Sequence, residues 1–242
     1  MAKVRTEIIH EDEEVLIVNK PSGLLTIPDR FVLDKPNLIK QLGRSREDLF
    51  VVHRLDRETS GIICFAKNEQ AHKHLSKQFQ ERTVDKFYLA IVEGNPYQAE
   101  GKIDKPIAES MTTRGKMVIN PRGKQSLTLY KVVENFKHYA LVSANIKTGR
   151  THQIRIHFSS IGHPLAVDAL YGRKNQLFLS EIKLKKYVRS KNEEEKPLMS
   201  RSTLHAHQLS FDHPTSGERM FFEALPPKDI RALINQLRKW DL

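Results

Sequence analysis

The sequence is poor in the residues that mark several common protein classes. Only one of its 242 residues is cysteine, Cys64, so no disulfide framework can form within the chain. Cys64 lies in an apolar run, where we expect a buried structural thiol rather than a nucleophile. No apolar run approaches the roughly 18 to 20 residues of a membrane span, and no signal-peptide pattern opens the chain. We therefore expect a cytoplasmic protein.

Acidic residues are outnumbered by basic ones. The chain has 40 lysines and arginines against 29 aspartates and glutamates, which leaves a formal charge of +11. Such a surplus favours a polyanionic partner, most simply nucleic acid. A chain of this length can bury a sizeable core as one large domain or as a domain with an insertion.

Short apolar runs bounded by turn residues predict many strands and few helices. The pattern indicates an α+β domain built on a mixed or antiparallel sheet. The predicted strands are 15–18, 49–52, 62–66, 83–92, the pair 126–133 and 139–146, and the hairpin 204–211 and 219–225. The predicted helices are a short one near 38–42, one from the N-cap Asn68 to about Arg82, one of about three turns that Thr151 caps and Gly162 ends, and one after Pro226–Pro227.

Two charged segments do not fit this pattern. Residues 100–125 are rich in glycine and basic residues. They fit a solvated connection between strands and a mobile basic loop that closes over nucleic-acid phosphates equally well. Residues 173–201 are rich in lysine and glutamate. We expect them to form an insertion or mobile excursion rather than core.

One nine-residue string stands out between the apolar runs 49–52 and 62–66. It reads His-Arg-Leu-Asp-Arg-Glu-Thr-Ser-Gly from His53 to Gly61. If both runs are strands, Asp56 lies in a tight connection between two core strands. Spacing alone favours a plainer interpretation, in which Asp56 is only a local ion-pair partner of Arg54 and Arg57.

The complete string closely resembles the signature of the RluA-type RNA pseudouridine synthases, His-Arg-Leu-Asp-x-x-Thr-Ser-Gly. Nine matched positions are a specific signal. Further blocks resemble the same family between about residue 7 and about residue 226: Lys20-Pro21-Ser22-Gly23-Leu24, Lys86-Phe87-Tyr88-Leu89-Ala90, Thr148 to His157, Gly162-His163-Pro164-Leu165 and Leu204-His205-Ala206.

The resemblance implies a fold and an activity. The fold would be a long mixed, mostly antiparallel sheet with flanking helices and loops and a central cleft. Residues 1–242 would form a single catalytic domain without an N-terminal accessory RNA-binding domain. The activity would be isomerisation of a uridine to pseudouridine in large-subunit ribosomal RNA or tRNA. Since this reaction gains no atom and changes no oxidation state, we expect no cofactor and no metal, and we expect a monomer.

The resemblance also implies site residues. The isomerisation needs an ionised group beside the base, and desolvation alone would raise the pKa of a carboxyl group, so an adjacent cation is expected. The family places Asp56 as the catalytic residue, Arg155 as its paired cation and Tyr88 against the target base. A stacked uridine must also be extruded from the RNA before it can react. The residues expected to bind substrate are His53, Arg54, Leu55, Arg57, Arg150 and Leu204.

Two other functions remain open at this point. The first is a basic RNA-binding module without activity, although Asp56, Tyr88 and Arg155 are all present. The second is a histidine-based metal hydrolase, for which the pairs His205 with His207 and His152 with His157 are candidates. Neither pair has a carboxylate at a known metal-ligand spacing.

Overall fold

The computed structural model describes residues 6–29, 31–32, 34–46, 48–188 and 194–242. The strands are β1 (Glu7–Glu11), β2 (Val15–Lys20), β3 (Phe50–Val51), β4 (Ser60–Ala66), β5 (Asp85–Glu93), β6 (Glu100–Asp104), β7 (Ile107–Glu109), β8 (Met117–Ile119), β9 (Leu127–Asn135), β10 (Tyr139–Ile146), β11 (Leu204–Asp212) and β12 (Arg219–Glu223). The helices are α1 (Leu38–Leu42), α2 (Glu69–Glu81), α3 (Gln153–Ser160), α4 (Leu179–Lys183) and α5 (Lys228–Trp240), with a 3-10 turn at Leu184–Lys186.

The elements confirm the predicted fold class. Ten strands belong to one sheet of mixed direction, and helices flank it. The chain divides into two compact units, the first made of residues 1–88 and 205–225 and the second of residues 89–204 and 226–242. Strand β5 begins in the first unit and ends in the second. The expectation of one catalytic domain over 1–242 stays a prediction.

The first unit contains the strand order β1-β2-β4-β11, with β3 beside β4 and β12 beside β11. All of these pairs are antiparallel except β11 with β4, which is parallel and aligns Ala206 with Gly61. A Cβ at Gly61 would lie 2.1 Å from the Ala206 carbonyl oxygen, and Gly61 has a φ of +117°. Only glycine therefore allows β11 to approach the end of the nine-residue string.

Helix α2 confirms its predicted position in the first unit. The side chain of Asn68 caps the helix by accepting a hydrogen bond from the Ala71 amide, and Arg82 ends the helix in the left-handed conformation. The face that carries Ala71 and Leu75 is buried against the apolar side chains of β2 and β4. Burial of this stripe, more than intrinsic propensity, is what stabilises a helix of this length.

The second unit contains the antiparallel order β10-β9-β6, so the predicted pair over 126–133 and 139–146 is confirmed. Helix α5 begins after Pro227 as predicted. Its apolar stripe is buried with side chains of β10 and of residues 166–167. The buried residues of α5 are Ile230, Leu233, Ile234 and Leu237.

The two charged segments are more ordered than expected. Residues 100–125 contain β6 and the two-stranded β7–β8 sheet, so neither a solvated connection nor a mobile loop describes the whole segment. In the segment 173–201, Leu177, Ile182 and Met199 are buried in the core of the second unit, so its expected exclusion from the core is also wrong. These three apolar residues are spaced too far apart to form a local pattern among the charges. Residues 189–193 of this segment lie outside the described residues.

Within the described residues, no helix combines the length and the apolar character needed to cross a bilayer.

Candidate active site

A loop of the first unit presents Asp56 between β3 and β4, and a second loop, residues 20–26, holds it in place. Thr26 Oγ1 donates to the Leu55 carbonyl at 3.0 Å and accepts from the Leu55 amide at 3.2 Å. Ser22 Oγ donates to the Glu58 carbonyl at 2.8 Å, and the Gly23 amide donates to the Arg57 carbonyl at 2.8 Å. Main-chain groups on both sides of Asp56 are therefore fixed.

Lys20 joins the two loops from inside the fold. Its side chain is fully buried, and its ammonium donates to the carbonyls of Leu24, Pro21 and Arg57 at 2.7, 3.0 and 3.1 Å. A buried ammonium group has to be satisfied by hydrogen bonds. Three carbonyl acceptors supply those bonds here and lock the Lys20-Pro21-Ser22-Gly23 turn against the Asp56 loop.

The end of the Asp56 loop is anchored to β11. Ser60 Oγ and His205 Nδ1 share a hydrogen bond of 3.0 Å, and His205 Nε2 donates to the Ala224 carbonyl at 3.0 Å. Since the carbonyl can only accept, Nε2 carries a proton. His205 is fully buried, so its ring is a structural link between β4, β11 and residue 224.

The His53 ring is held by contacts within the first unit. Its Nε2 accepts a hydrogen bond from the Cys64 amide at 3.0 Å, and its ring stacks on Phe79 with 4.7 Å between centroids. Burial, together with the nearby charge of Lys86, lowers the pKa of His53 to about 3. The ring is therefore neutral at physiological pH, and its role as an RNA contact stays a prediction.

Tyr88 lies near Asp56 within the first unit. Its side chain is buried, and burial followed by the negative charge of Asp56 raises the pKa of the Tyr88 phenol. The phenol is therefore neutral at physiological pH and retains its hydroxyl proton. The structure brings together two of the three residues predicted to be catalytic.

The two arginines that flank Asp56 are exposed, whereas Leu55 is buried. Arg57 Nε donates to the Gly23 carbonyl at 3.1 Å and lies 3.6 Å from a Glu58 carboxylate oxygen. Arg57 thus contributes to the loop-to-loop fixation. Arg54 projects from the same loop, and the substrate-binding roles of these residues stay predictions.

In the second unit, Gln153 organises the turn that carries Arg150 and leads into α3, which carries Arg155. The Gln153 carbonyl oxygen accepts from Thr148 Oγ1 at 2.7 Å and from the Arg150 amide at 3.0 Å. Its amide nitrogen donates to the Leu127 carbonyl at 3.0 Å and to Thr128 Oγ1 at 3.1 Å. One buried side chain therefore ties the segment before α3 to strand β9.

Helix α3 confirms the prediction of a helix here, but two details were wrong. The helix has eight residues rather than about three turns, and its N-cap is His152 in the left-handed conformation rather than Thr151. His152 makes no side-chain cap hydrogen bond, and the turn before the helix is instead fixed by the Gln153 side chain, which accepts from Thr148 and from the Arg150 amide. Arg155 is buried in this helix.

Arg155 forms a buried ion pair with Asp168. Its Nε and Nη2 donate to the two carboxylate oxygens at 2.7 and 2.8 Å, and the side chains are 9% and 0% exposed. Asp168 Oδ1 also accepts from the amides of Leu170 and Tyr171. Burial alone would raise the pKa of Asp168, but the Arg155 guanidinium and these amides lower it below its ordinary value. Pairing of Arg155 with Asp56 stays a prediction.

Tyr171 packs against the same arginine. The Arg155 guanidinium carbon lies 5.1 Å from the Tyr171 ring centroid, within the range of a cation–π interaction. The Tyr171 hydroxyl accepts from the Met117 amide and shares a 2.8 Å hydrogen bond with His152 Nδ1. A carboxylate and an aromatic ring together hold the planar guanidinium in one orientation.

Arg150 lines a pocket of about 520 Å³ in the second unit. The pocket is bounded by the β7–β8 sheet, the connection 122–124 and the turn 149–151. Arg122, Lys124 and Arg150 give it three cations against one carboxylate, Glu109. Arg150 Nε donates to the Gln125 carbonyl at 3.3 Å, which links the turn to the connection. Leu204, the remaining predicted residue, is buried at the start of β11.

The histidines proposed as metal ligands are engaged in hydrogen bonds with protein groups. His205 and His207 both donate to the Ala224 carbonyl. His152 contacts Tyr171, and His157 bonds to Thr128 Oγ1 and the Lys105 carbonyl. Among the described residues, no group of three or more histidine, cysteine, aspartate or glutamate side chains is arranged to hold a metal ion.

Sequence reasoning missed Asp168 and Lys20. Asp168 directly follows the apolar residues 165–167, and a carboxylate inside such a run indicates a buried group that needs a cation. Lys20 ends the apolar strand β2 and precedes a turn, so a similar argument applies to it. Neither signal identifies the distant partner, because Asp168 binds Arg155, 13 residues away, and Lys20 reaches the Arg57 carbonyl, 37 residues away.

Comparisons with known proteins agree with this arrangement. Residues 14–160 match the model of the RNA pseudouridylate synthase family. The chain is 36% identical over 245 residues to ribosomal large subunit pseudouridine synthase D of Zymomonas mobilis, and the match covers 96% of this chain and 72% of the relative. It is 38% identical to an uncharacterized RNA pseudouridine synthase of Aquifex aeolicus over 96% of this chain and 73% of that protein.

A solved structure is similar as well. The human protein RNA pseudouridylate synthase domain containing 4 superimposes with a TM-score of 0.72 at 25% identity. The match covers 96% of this chain and 93% of that one.

These matches define a class of RNA-modifying isomerases, to which the nine-residue string and the mixed sheet also point. The chain belongs to the RNA pseudouridylate synthase family, and within it to the RluA-type enzymes.

Proposed function

We propose that this enzyme isomerises a uridine of large-subunit ribosomal RNA to pseudouridine and that Asp56 is its catalytic residue. The observation that carries the proposal is the fixed Asp56 loop with the neutral Tyr88 phenol beside it. The choice of ribosomal RNA rests on the relatives named as ribosomal large subunit enzymes.

In the proposed reaction, the bond between nitrogen 1 of uracil and the sugar breaks, the base rotates, and carbon 5 of uracil joins the sugar. The Asp56 carboxylate acts at the sugar as a nucleophile or as a proton acceptor. We assign Arg155 as the cation that pairs with the Asp56 carboxylate during the reaction, and Asp168 and Tyr171 set the orientation of its guanidinium.

The target uridine reaches the site by leaving its stack in the RNA. Extrusion costs a few kcal/mol, which stacking and phosphate contacts in the enzyme offset. We assign Tyr88 and Leu204 to contacts with the base. Arg54 and Arg57 flank Asp56 and are exposed, so they are suited to grip the backbone near the extruded nucleotide.

The basic pocket around Arg150 is the proposed contact for the neighbouring strand. Three cations face one carboxylate there, and phosphate oxygens are the ligands that such a pocket prefers. This assignment develops the second interpretation of residues 100–125, with an ordered β7–β8 sheet in place of a mobile loop.

Purified protein tests the proposal on two RNAs made by transcription, one large-subunit ribosomal and one transfer RNA. Pseudouridine is mapped in each after incubation with wild type, Asp56→Asn and Glu58→Gln. We expect product in ribosomal RNA with wild type and Glu58→Gln, and none with Asp56→Asn. Product only in transfer RNA would overturn the substrate class, and product with Asp56→Asn would overturn the catalytic assignment.

Tyr88→Phe refines the role of the aromatic ring. This variant keeps the ring and removes only the hydroxyl, so unchanged turnover would assign Tyr88 to packing against the base. A loss of turnover would assign the phenol a hydrogen bond or a proton transfer in the reaction.

A further inference from the structure

Three lysine side chains converge on the indole ring of Trp240 in the second unit. The ammonium nitrogens of Lys183, Lys239 and Lys186 lie 4.7, 5.1 and 5.7 Å from the ring centroid. Each of these distances is within the range of a cation–π interaction. All three ammonium groups lie within 5.7 Å of the same centroid, so none of them is more than about 11 Å from another. We call these four residues the Trp240 cluster.

Carboxylates near the cluster in the chain are committed to other partners. Glu181 on α4 pairs with Lys174, and Asp241, next to Trp240, bonds to His138 at 2.6 Å. Within the described part of the chain, the three lysines of the cluster form no ion pair with a carboxylate. The cluster therefore holds a local excess of positive charge that nothing described in this chain neutralises.

Helix stabilisation explains only part of this arrangement. Lys183 and Lys239 lie in the last turns of α4 and α5, where cations interact favourably with the helix dipole. Lys186 belongs to the separate 3-10 turn, yet it reaches the same ring. The indole itself packs against the buried core of the second unit, so the ring is a fixed platform.

We propose that the Trp240 cluster binds backbone phosphates of the substrate RNA outside the nucleotide that is isomerised. The proposal rests on the proposed function, since it takes RNA as the substrate. Clustered ammonium groups beside an aromatic ring are typical of surfaces that bind a nucleic acid backbone without reading its sequence. Such a contact would position a long RNA and add affinity, and it would leave the chemistry at Asp56 unchanged.

The test compares two triple variants with equal changes of charge. The first is Lys183→Gln, Lys186→Gln, Lys239→Gln. The second is the control Lys73→Gln, Lys77→Gln, Lys228→Gln, which neutralises three exposed lysines elsewhere. Binding to transcribed large-subunit ribosomal RNA, to a short oligouridine and to polyglutamate is measured at several salt concentrations. Circular dichroism melting confirms that each variant is folded.

We expect the first variant to bind ribosomal RNA roughly tenfold or more weakly than wild type at low salt. The slope of log K against log salt should fall by about 0.7 to 0.9 for each phosphate that the variant no longer neutralises. The control and the short oligouridine should show little change. If the cluster variant keeps wild-type affinity and slope, or loses no more affinity than the control, the proposal is overturned. A selective loss of polyglutamate binding would indicate an acidic protein partner and would overturn it as well.

This binding test is independent of the proposed function. Absence of pseudouridine in every RNA treated with the wild-type enzyme would overturn the proposed activity. The difference in RNA affinity between the cluster variant and its control would still be measurable in that case.

Discussion

The Asp56 loop and the Arg155 segment are fixed by different kinds of bonds. In the first unit, Thr26, Ser22 and Lys20 bond to main-chain carbonyls around Asp56. In the second unit, Arg155 is held by its own side chain, through a carboxylate that is fully buried. A main-chain framework tolerates a change of the side chain that it presents, whereas a buried ion pair does not tolerate loss of one partner.

Because of this difference, a mutation in the Asp56 loop can change activity without changing stability, whereas a mutation of the Arg155–Asp168 pair changes both. Asp56 can lose its charge while the bonds that shape its loop remain. Changes at Asp168 leave a buried guanidinium without its counter-charge and so affect folding as well as the orientation of Arg155. The following predictions are ordered from the largest expected effect to the smallest.

Asp56→Asn is predicted to have the largest effect, and only on turnover. We expect kcat to fall by about 10⁴-fold, at the upper end for loss of an acid or base group, since the amide cannot carry the negative charge. The free energy of unfolding should change by less than about 1 kcal/mol. Single-turnover kinetics and urea denaturation measure the two quantities. Glu58→Gln is the control in the same loop. A comparable loss of turnover in that variant would contradict a specific role of Asp56.

Asp168→Asn should destabilise the protein by about 3 to 5 kcal/mol, because it leaves the buried Arg155 without a counter-charge. The matched control is Asp85→Asn, which breaks an ion pair with Arg219 in which the two side chains are 41% and 42% exposed. Solvent screens that pair, so we expect a loss of about 1 kcal/mol. Urea denaturation of both variants checks the difference, and equal losses would show that burial does not set the cost.

The lowered pKa of Asp168 should make the stability of the protein depend on pH in the acidic range. Its folded pKa lies below its unfolded value, so its contribution is present above pH of about 4 and disappears as the pH falls through the folded pKa. Unfolding free energies measured from neutral pH downward should therefore fall less steeply in Asp168→Asn than in wild type. Parallel curves would contradict the ion-pair account.

His53 adds a pH effect in a different window. Its folded pKa of about 3 lies below its unfolded value of about 6.5. Between these values the unfolded chain binds a proton that the folded one does not, so stability falls as the pH drops below about 6.5, by at most about 1.4 kcal/mol per pH unit. The stability of His53→Gln should depend less on pH between about 6.5 and 5. An unchanged pH dependence in this variant would show that a group other than His53 causes the loss of stability in this range.

Arg150→Gln should have the smallest effect. We expect RNA affinity to fall by roughly threefold to tenfold and the salt slope by about 0.7, with kcat unchanged, because a phosphate contact positions the RNA without taking part in the chemistry. Arg231→Gln, an exposed arginine of α5 in the same unit, is the control. Binding titrations over a range of salt provide the measurement, and a fall in kcat would move Arg150 into the catalytic machinery.

Local features of the fold were predictable from the sequence. The Asn68 cap, the alternating and apolar runs of the strands, and the amphipathic stripe of α5 depend on neighbours within a few residues, and each was confirmed. The β7–β8 sheet was not predictable, because each of its strands is only three residues long. So short a run carries little sequence pattern, and the strands depend on pairing with each other. The same applies to the core residues of 173–201, where packing partners come from α5 and β10.

The residues of the site also fall into two groups, those that the sequence identifies and those that only the structure identifies. The nine-residue string identified Asp56 because the family signature is contiguous in the sequence. The residues that position the site, Lys20 and Asp168, act through bonds that span 37 and 13 residues. Residue type and spacing along the chain do not encode such contacts, so only the folded structure identifies them.

The most direct test of the central claim is a map of pseudouridine in ribosomal and transfer RNA from cells with and without this gene. Cells that lack the gene are complemented with wild type or with Asp56→Asn. The account predicts that one or two sites of large-subunit ribosomal RNA lose the modification and that only wild type restores them. Restoration of the same sites by Asp56→Asn would contradict the assignment of Asp56 as the catalytic residue.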